Sequence, residues 1–384
     1  MQARLHTMLG DIEALVRCES PSADLAAVAR SAQLVAALGA KRLGAAPDKI
    51  VIDGRTHLRW RLGDGPARVL LLAHHDTVWP VGSLSTHPFA IDDGILRGPG
   101  CFDMKSGLVL ALHAAAEQAD GAAVTILVTG DEEIGSPSSR DLIQTEATDC
   151  VAALVLEASA PGGAVKTERK GVSLYRVAAA GRAAHAGLEP ESGINATVEL
   201  ASQILAVTAL ADPALGTTVS PTLMSAGNTT NTIPDAGEFA VDVRVRDISE
   251  QDRVDAAIRA LRPSLPGARL EITGGPNRPP LQASASEELL ARAQAVAGML
   301  GLPPLSGAAV GGGSDGNFTA GVGTPTLDGL GAVGDGAHAD HEHVVIGELA
   351  GRAALVAALV ASLADSDTPS PAINSRAAFG TGQP

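Results

Sequence analysis

Leu70-Leu71-Leu72-Ala73-His74-His75-Asp76 is an apolar run of strand length that ends abruptly in two imidazoles and a carboxylate. The pattern recurs twice. Val124-Thr125-Ile126-Leu127-Val128-Thr129 runs into Asp131-Glu132-Glu133, and Val151-Ala152-Ala153-Leu154-Val155-Leu156 runs into Glu157. In an open α/β sheet, ligands bind outside the carboxyl ends of parallel strands. Three such ends bearing His and carboxylate groups predict one shared metal site, with His74 as its first anchor.

Working outward, residues 1–39 read as helix, broken at Ser20-Pro21-Ser22, and residues 50–52 and 57–62 alternate as strands. Beyond His74, a Gly/Pro-rich connection leads through Gly98-Pro99-Gly100-Cys101-Phe102-Asp103 to a helix with Leu108, Leu112 and Ala115 on one face. Strand, helix and strand follow to Leu156. This β-α-β-α-β alternation predicts a parallel sheet with helices on its faces. From about residue 171 the order becomes strand-helix-strand-strand-helix-strand, an α+β sandwich signature. Gly274-Gly275-Pro276-Asn277-Arg278-Pro279-Pro280 marks its expected end, after which α/β character returns up to a helix near 346–363. The expected organisation is a discontinuous α/β domain, 1–170 and 281–364, with a domain inserted at 171–280. The Ser-, Pro-, Gly- and Ala-rich tail at 365–384 is expected to be disordered.

A chain of 384 residues exceeds one ordinary core. Its formal charge of −15 argues against a nucleic-acid or anionic-membrane surface. Cys18, Cys101 and Cys150 form neither a CxxC motif nor a disulfide framework, so reduced thiols in the cytoplasm are expected. The N-terminus reads as an amphipathic helix rather than a signal peptide. No apolar run is expected to reach the ~18 residues that span a bilayer.

His74, Asp103, Glu133, Glu157 and His338 supply two imidazoles and three carboxylates. With no thiol cluster competing, such a set suits zinc. It is too large for one catalytic ion but suits two, about 3.5–4 Å apart, with one carboxylate bridging. Asp76 stands two residues beyond His74 and is expected to take its other ring N–H. Glu132 adjoins Glu133 and points elsewhere, which leaves it as a general base for the attacking water. His75 is read as structural, because side chains alternate along a strand. Of His338, His341 and His343, His338 is preferred from its place after Gly336 and before Glu342. Lys166, Arg169, Lys170 and Arg278 are candidates for side-chain recognition, and the choice among them is left open.

These segments, in this order, resemble those of the co-catalytic di-zinc amidohydrolases and exopeptidases. The family includes glutamate carboxypeptidase, acetylornithine deacetylase, succinyl-diaminopimelate desuccinylase and aminoacylase. Gly181-Arg182-Ala183-Ala184-His185-Ala186-Gly187, Asn231-Thr232-Ile233-Pro234, Asp242-Val243-Arg244 and Gly312-Gly313-Ser314-Asp315 extend the likeness over nearly the whole chain up to about 364. The resemblance implies a zinc-exopeptidase-like α/β catalytic domain and a ferredoxin-like dimerisation (lid) domain. It implies two Zn2+ per subunit, with Co2+ or Mn2+ as substitutes. Asp103 would bridge, His74 and Glu157 would hold one ion, and Glu133 and His338 the other. Glu132 would be the general base. His185 would reach across a homodimer to the oxyanion, Asn231 and Arg244 would hold the substrate carbonyl and carboxylate, and Gly312 and Gly313 would let the backbone approach the substrate. The motifs look most like those of glutamate carboxypeptidases, which implies cleavage of a C-terminal amino acid from a small acyl-amino-acid or peptide substrate. An N-acyl-amino-acid deacylase or a dipeptidase is the alternative.

Overall fold

A computed structural model describes residues 1–65, 67–118 and 122–364. The expected disordered tail at 365–384 lies outside the described residues. The central sheet has six strands in the order 48–52, 55–62, 123–129, 68–74, 152–155 and 326–327. The last four are parallel, and an antiparallel hairpin, 48–52 with 55–62, forms one edge. The fold is therefore α/β with a mostly parallel sheet. Strand 68–74 is central, with its two successors in the chain on either side, so the strand order reverses at His74. Crevices of open sheets form at such reversals.

The strand is apolar throughout because both faces are covered. Val69, Leu71 and Ala73 face a core built with helices Leu5–Arg17, Leu25–Leu43, Ser106–Ala115, Glu287–Met299 and Ile346–Ala364. Leu70 and Leu72 face a smaller core with Ile143, Ala147 and Phe318 from helices Arg140–Thr148 and Gly316–Gly321. Helix Ser106–Ala115 was expected to carry one apolar face, yet all of it is buried. It is wedged between the sheet and the outer helices, and a Cβ built on Gly107 would lie 1.9 Å from the Leu156 carbonyl oxygen. Ile346–Ala364 is long and apolar enough to cross a bilayer by length and composition, contrary to expectation. Leu349, Ala353, Val356, Leu359 and Val360 are buried in the main core, so this face packs as a core helix.

Strands 218–226, 236–245, 171–180 and 269–278, in that order, form a separate antiparallel sheet backed by helices Ala196–Thr208 and Ile248–Arg259. Its core centres on Tyr175, Val177, Phe239, Val241 and Val243. The Gly274–Pro280 segment, read from sequence as a boundary, is strand as far as Arg278. Gly274 permits this with φ 87°, where a Cβ would lie 2.1 Å from the Leu174 carbonyl oxygen. A third sheet was not anticipated. Strands 334–335, 343–345, 95–97 and 90–92 pair in that order and fix the hairpin that carries His338 beside the segment leading to Asp103.

Gly107→Ala drives a methyl group into backbone that cannot yield like a flexible side chain. It should lower unfolding free energy by at least about 1–3 kcal/mol, as overpacked cores do, measured by urea denaturation. Wild-type stability would refute the close helix–strand approach.

Candidate metal centre and active site

Strand Arg68–His74 delivers His74, the turn at 132–134 delivers Glu132 and Glu133, and the chain just past strand Ala152–Val155 delivers Glu157. Asp103 lies at a non-helical kink within Cys101–Lys105, with a cis peptide to Met104. His338 tops the 334–345 hairpin at φ 62°, a conformation uncommon outside glycine that is enriched at functional sites.

These residues form two trios that share Asp103. His74 Nε2 lies 3.4 Å from Asp103 Oδ1 and 3.4 Å from Glu157 Oε1. His338 Nε2 lies 3.4 Å from Asp103 Oδ2 and 3.1 Å from Glu133 Oε2. Donors at 2.0–2.1 Å around one tetrahedral ion stand ~3.3 Å apart, so both trios have the spacing of zinc ligands. His74 Nε2, Asp103 Oδ1 and Glu133 Oε1 are buried without a hydrogen-bond partner, which fits atoms whose partner is a cation. Oxygen and imidazole donors without thiolate suit zinc, cobalt or manganese. The residues present fit a two-cation site.

The electrostatics of the protein alone agree. Burial pulls His74 toward the neutral form, but Asp103, Asp76 and Glu157 outweigh it and raise its pKa well above the usual range. The neighbouring His338 and His74 imidazoles hold Asp103 well below the usual carboxylate range despite its burial. Burial pushes Glu133 up to about 7, and Asp103 and Glu133 together raise His338 to about 10. Burial also raises Glu132 well above the carboxylate range, with Arg278 opposing.

Five sets of polar contacts position these groups. The His74 Nδ1–H donates to the Asp76 main-chain oxygen at 2.9 Å, a pure acceptor, which leaves Nε2 as the nitrogen that faces the trio. The expected partner, the Asp76 carboxylate, is farther, at 3.4 Å. That carboxylate instead accepts from Ser22 Oγ at 2.6 Å and from the Glu132 and Glu133 amides at 3.3 and 3.2 Å, so it ties the acidic turn to the His74 strand. Glu342, to which the sequence analysis gave no role, accepts from the amides of Gly100, Phe102 and Asp103 and from Trp79 Nε1. Arg169 is buried, forks onto Asp328 at 2.6 and 3.1 Å, and reaches Glu157 at 3.5 Å. Arg278 is buried against Glu132 at 2.9 Å, Asp315 at 3.1 Å and Ser136. Arg169 and Arg278 are therefore positioning groups. Only the patterns of buried charge could have signalled them, and those need the fold.

His75 turns away, with Nε2 3.0 Å from the Thr56 carbonyl, and burial lowers it to about 4. His341 and His343 make no described hydrogen bond or ion pair with either trio. His185, Asn231 and Arg244 likewise have no described hydrogen bond or ion pair to the trios. His185 is exposed, in a short ladder of 184–185 with 232–233, and its Nδ1 accepts from the Gly187 and Leu188 amides. The proton therefore sits on Nε2. Asn231 is exposed, and its carbonyl accepts from the Ala186 amide. Arg244 forks onto Asp242 at 2.8 and 2.9 Å. Gly312 and Gly313 offer their carbonyls to Arg169 Nη1. Lys170 Nζ donates to the Gly216 carbonyl. The Lys166 side chain makes no described hydrogen bond; burial and Arg169 lower its pKa, while Glu157, Asp328 and Asp103 oppose.

The profile of Peptidase family M20/M25/M40 matches residues 70–362. Carboxypeptidase G2 of Pseudomonas sp. (strain RS-16) is 32% identical over 318 residues, covering 78% of this chain and 75% of that one. A succinyl-diaminopimelate desuccinylase of Methylorubrum extorquens (strain PA1) is 28% identical over 319 residues, covering 75% and 81%. Among solved structures, a tripeptidase of Staphylococcus aureus superposes with TM-score 0.73 at 21% identity, covering 94% of this chain and 99% of that one. The M20 family metallo-carboxypeptidase Sso-CP2 of Sulfolobus solfataricus gives 0.70 at 17% identity, covering 93% and 99%. The chain belongs to peptidase family M20/M25/M40 and is a metal-dependent hydrolase of that family.

Two outcomes are expected. Glu342→Ala frees three amides around Asp103 and should weaken zinc binding about 10–100-fold, as removal of outer hydrogen bonds does, read by competition with a chromophoric chelator. Unchanged affinity would mean that Asp103 holds its place unaided. His338, raised to about 10 in the metal-free protein, carries a proton at pH 7 that must leave for its nitrogen to bind a cation. Its charged form stabilises the metal-free fold fully below its ordinary pKa and loses that contribution as pH rises through about 10. Zinc binding should therefore release protons at pH 7 and tighten toward pH 10. Calorimetry in buffers of different ionisation enthalpy checks this, and zero proton release would contradict it.

Proposed function

We propose that this member of the M20/M25/M40 family is a di-zinc hydrolase that cleaves the amide bond of a C-terminal amino acid from an acyl-amino-acid or peptide. The convergence of His74, Glu157, Glu133 and His338 on the two oxygens of Asp103 carries the reading. A relative bearing the name carboxypeptidase supports it. Two bound cations would polarise the scissile carbonyl and lower the pKa of water.

The chain's own residues account for the remaining steps. Glu132 stands beside the trios, held by Arg278, and takes a proton from the attacking water. It then returns that proton to the nitrogen of the leaving amino acid. His185, with its proton on Nε2, is suited to donate to the oxyanion. Asn231 would hold the substrate carbonyl. Arg244 would hold the free carboxylate, sharing its fork with Asp242. Lys166 is the cation left for an acidic substrate side chain, which favours acyl-glutamates. A deacylase acting on succinylated or acetylated amino acids is the second reading, favoured by the desuccinylase relatives.

His185 would act on the site of a second subunit. Residues 171–280 would form the dimerisation domain, and residues 1–170 with 281–364 the catalytic one. The edge strand Thr218–Ala226 exposes Leu223 and Met224, and the adjoining helix exposes Val198 and Leu205. Unpaired edges with apolar side chains are what a partner chain covers. Three free cysteines accord with a cytoplasmic setting.

Glu132→Ala should lower kcat about 10²–10⁴-fold while zinc content per subunit is unchanged. Retained turnover would remove Glu132 from the mechanism, and chelator-insensitive turnover would remove the metals. A panel of acyl-glutamate, succinyl-diaminopimelate, acetyl-ornithine and dipeptides decides the substrate. Equal turnover of the C-terminal amide of the preferred substrate, which lacks the free carboxylate, would overturn the reading.

A further inference from the structure

Away from the metal centre, a cavity of about 300 Å3 opens between helix Ile346–Ala364 and the segment at 302–305. That size is at the lower end for small-molecule sites. Its walls are apolar, with Leu302, Pro303, Leu305, Val333 and Leu355 among them. Two charged residues line it as well, Arg352 and Glu348, one helical turn apart. Arg352 is 5% exposed. Its Nη2 donates to the carbonyls of Gly163 at 2.7 Å and Gly329 at 3.4 Å. Its Nε is buried with no partner, and its Nη1 makes no described hydrogen bond. Burial pulls its pKa down to about 10, with Glu348 opposing.

With Nε sealed from the cavity and Nη2 taken by two carbonyls, Nη1 is the donor left for an anion there. Residues four apart on a helix can meet, yet no ion pair joins Arg352 to Glu348 among the described residues, and Glu348 is exposed. A buried guanidinium without a counter-charge is expensive, and unsatisfied buried donors in native folds commonly await a water, ion or ligand. The cavity therefore presents a buried cation in need of an anion, an unpaired carboxylate, and apolar walls in a small volume. A free α-amino acid with an apolar side chain has the complementary chemistry: carboxylate, adjacent ammonium, and a hydrocarbon body.

We propose that this cavity is a second small-molecule site, which binds a free apolar α-amino acid with its carboxylate on Arg352 and its ammonium toward Glu348. The site shares no residue with the two trios and does not depend on how the hydrolytic site works. It is nonetheless connected to it. Arg352 holds the Gly329 carbonyl, and Gly329 follows Asp328, the partner of Arg169, which reaches Glu157.

The test is equilibrium dialysis of the zinc-loaded full chain with labelled L-leucine, in the wild type, Arg352→Met and Glu348→Gln. Leucine held at the hydrolytic site would persist in both variants, so the second site reads as the difference. Arg352→Met should lose one leucine per subunit. Glu348→Gln, a surface change, should weaken that leucine about tenfold, the loss of one charged hydrogen bond. N-acetyl-L-leucine, with its amine capped, should compete about tenfold less well than leucine for the same reason. Identical binding by all three proteins, or no leucine retained at ~10 mM, overturns the site. Equal competition by the capped compound overturns the amino-acid assignment in favour of simple carboxylates. Should Arg352→Met fail to fold, the Glu348→Gln and capped-ligand measurements decide the matter on folded protein.

Discussion

Everything near the His74 strand end depends on confining negative charge. Asp103, Glu132, Glu133 and Glu157 converge in a largely buried space with only two imidazoles among them. Carboxylates so close repel one another and lose their hydration, which is why burial drives Glu132 and Glu133 toward the protonated form. Divalent cations reverse that balance, because their charge dominates the local field. The fold alone holds the donors at 3.1–3.4 Å from one another, and most of the buried polar groups nearby serve that end.

Each donor is held by a different device. Main-chain oxygen fixes the His74 tautomer, and Glu342 gathers the amides around Asp103. Asp76 accepts from the amides of Glu132 and Glu133. Two buried arginines stand behind Glu157 and Glu132, each with a second carboxylate, Asp328 or Asp315, that offsets the burial of its charge. Asp315 also accepts from Thr129 at the end of strand Ala123–Thr129, so the 312–315 loop is anchored to the sheet. Gly313 accordingly reads as a close-packing residue, since a Cβ there would meet Val172 at 3.0 Å and Arg278 at 3.2 Å, whereas one on Gly312 would meet only Arg169, at 4.0 Å.

The legibility of the chain follows the range of the physics. Apolar runs ending in His or Glu reveal parallel strands and their polar ends, because strand period and burial act locally. The strand-helix order past residue 171 likewise foretells the second sheet. The third sheet escaped notice because its strands are two or three residues long and its two local hairpins are joined by the pairing of 95–97 with 343–345, more than two hundred positions apart. Glu342, Arg169 and Arg278 escaped for a related reason. A lone charged residue in a loop or strand carries no periodic signal, and its burial emerges only when distant segments meet. Asp76 shows the opposite error: the right residue was named, but its backbone oxygen took the role foreseen for its side chain.

The two trios are not equivalent. His74, Asp103 and Glu157 come from one continuous stretch of 84 residues, 74–157, and His74 and Glu157 are buried. The second trio adds His338, whose side chain is 49% exposed and whose position depends on the hairpin that closes after the 171–280 segment. Protein stability is uneven, and exposed, locally held groups open most readily. A cation between Asp103, Glu133 and His338 would therefore meet solvent and substrate first, while one between His74, Asp103 and Glu157 would be enclosed. Because the outer trio includes the neighbour of Glu132, the groups that exchange most easily with solvent also lie beside the group best placed to move a proton. Openness on that side and rigidity on the other is the division of labour a hydrolytic site requires, since water must enter without loosening the donors that position it.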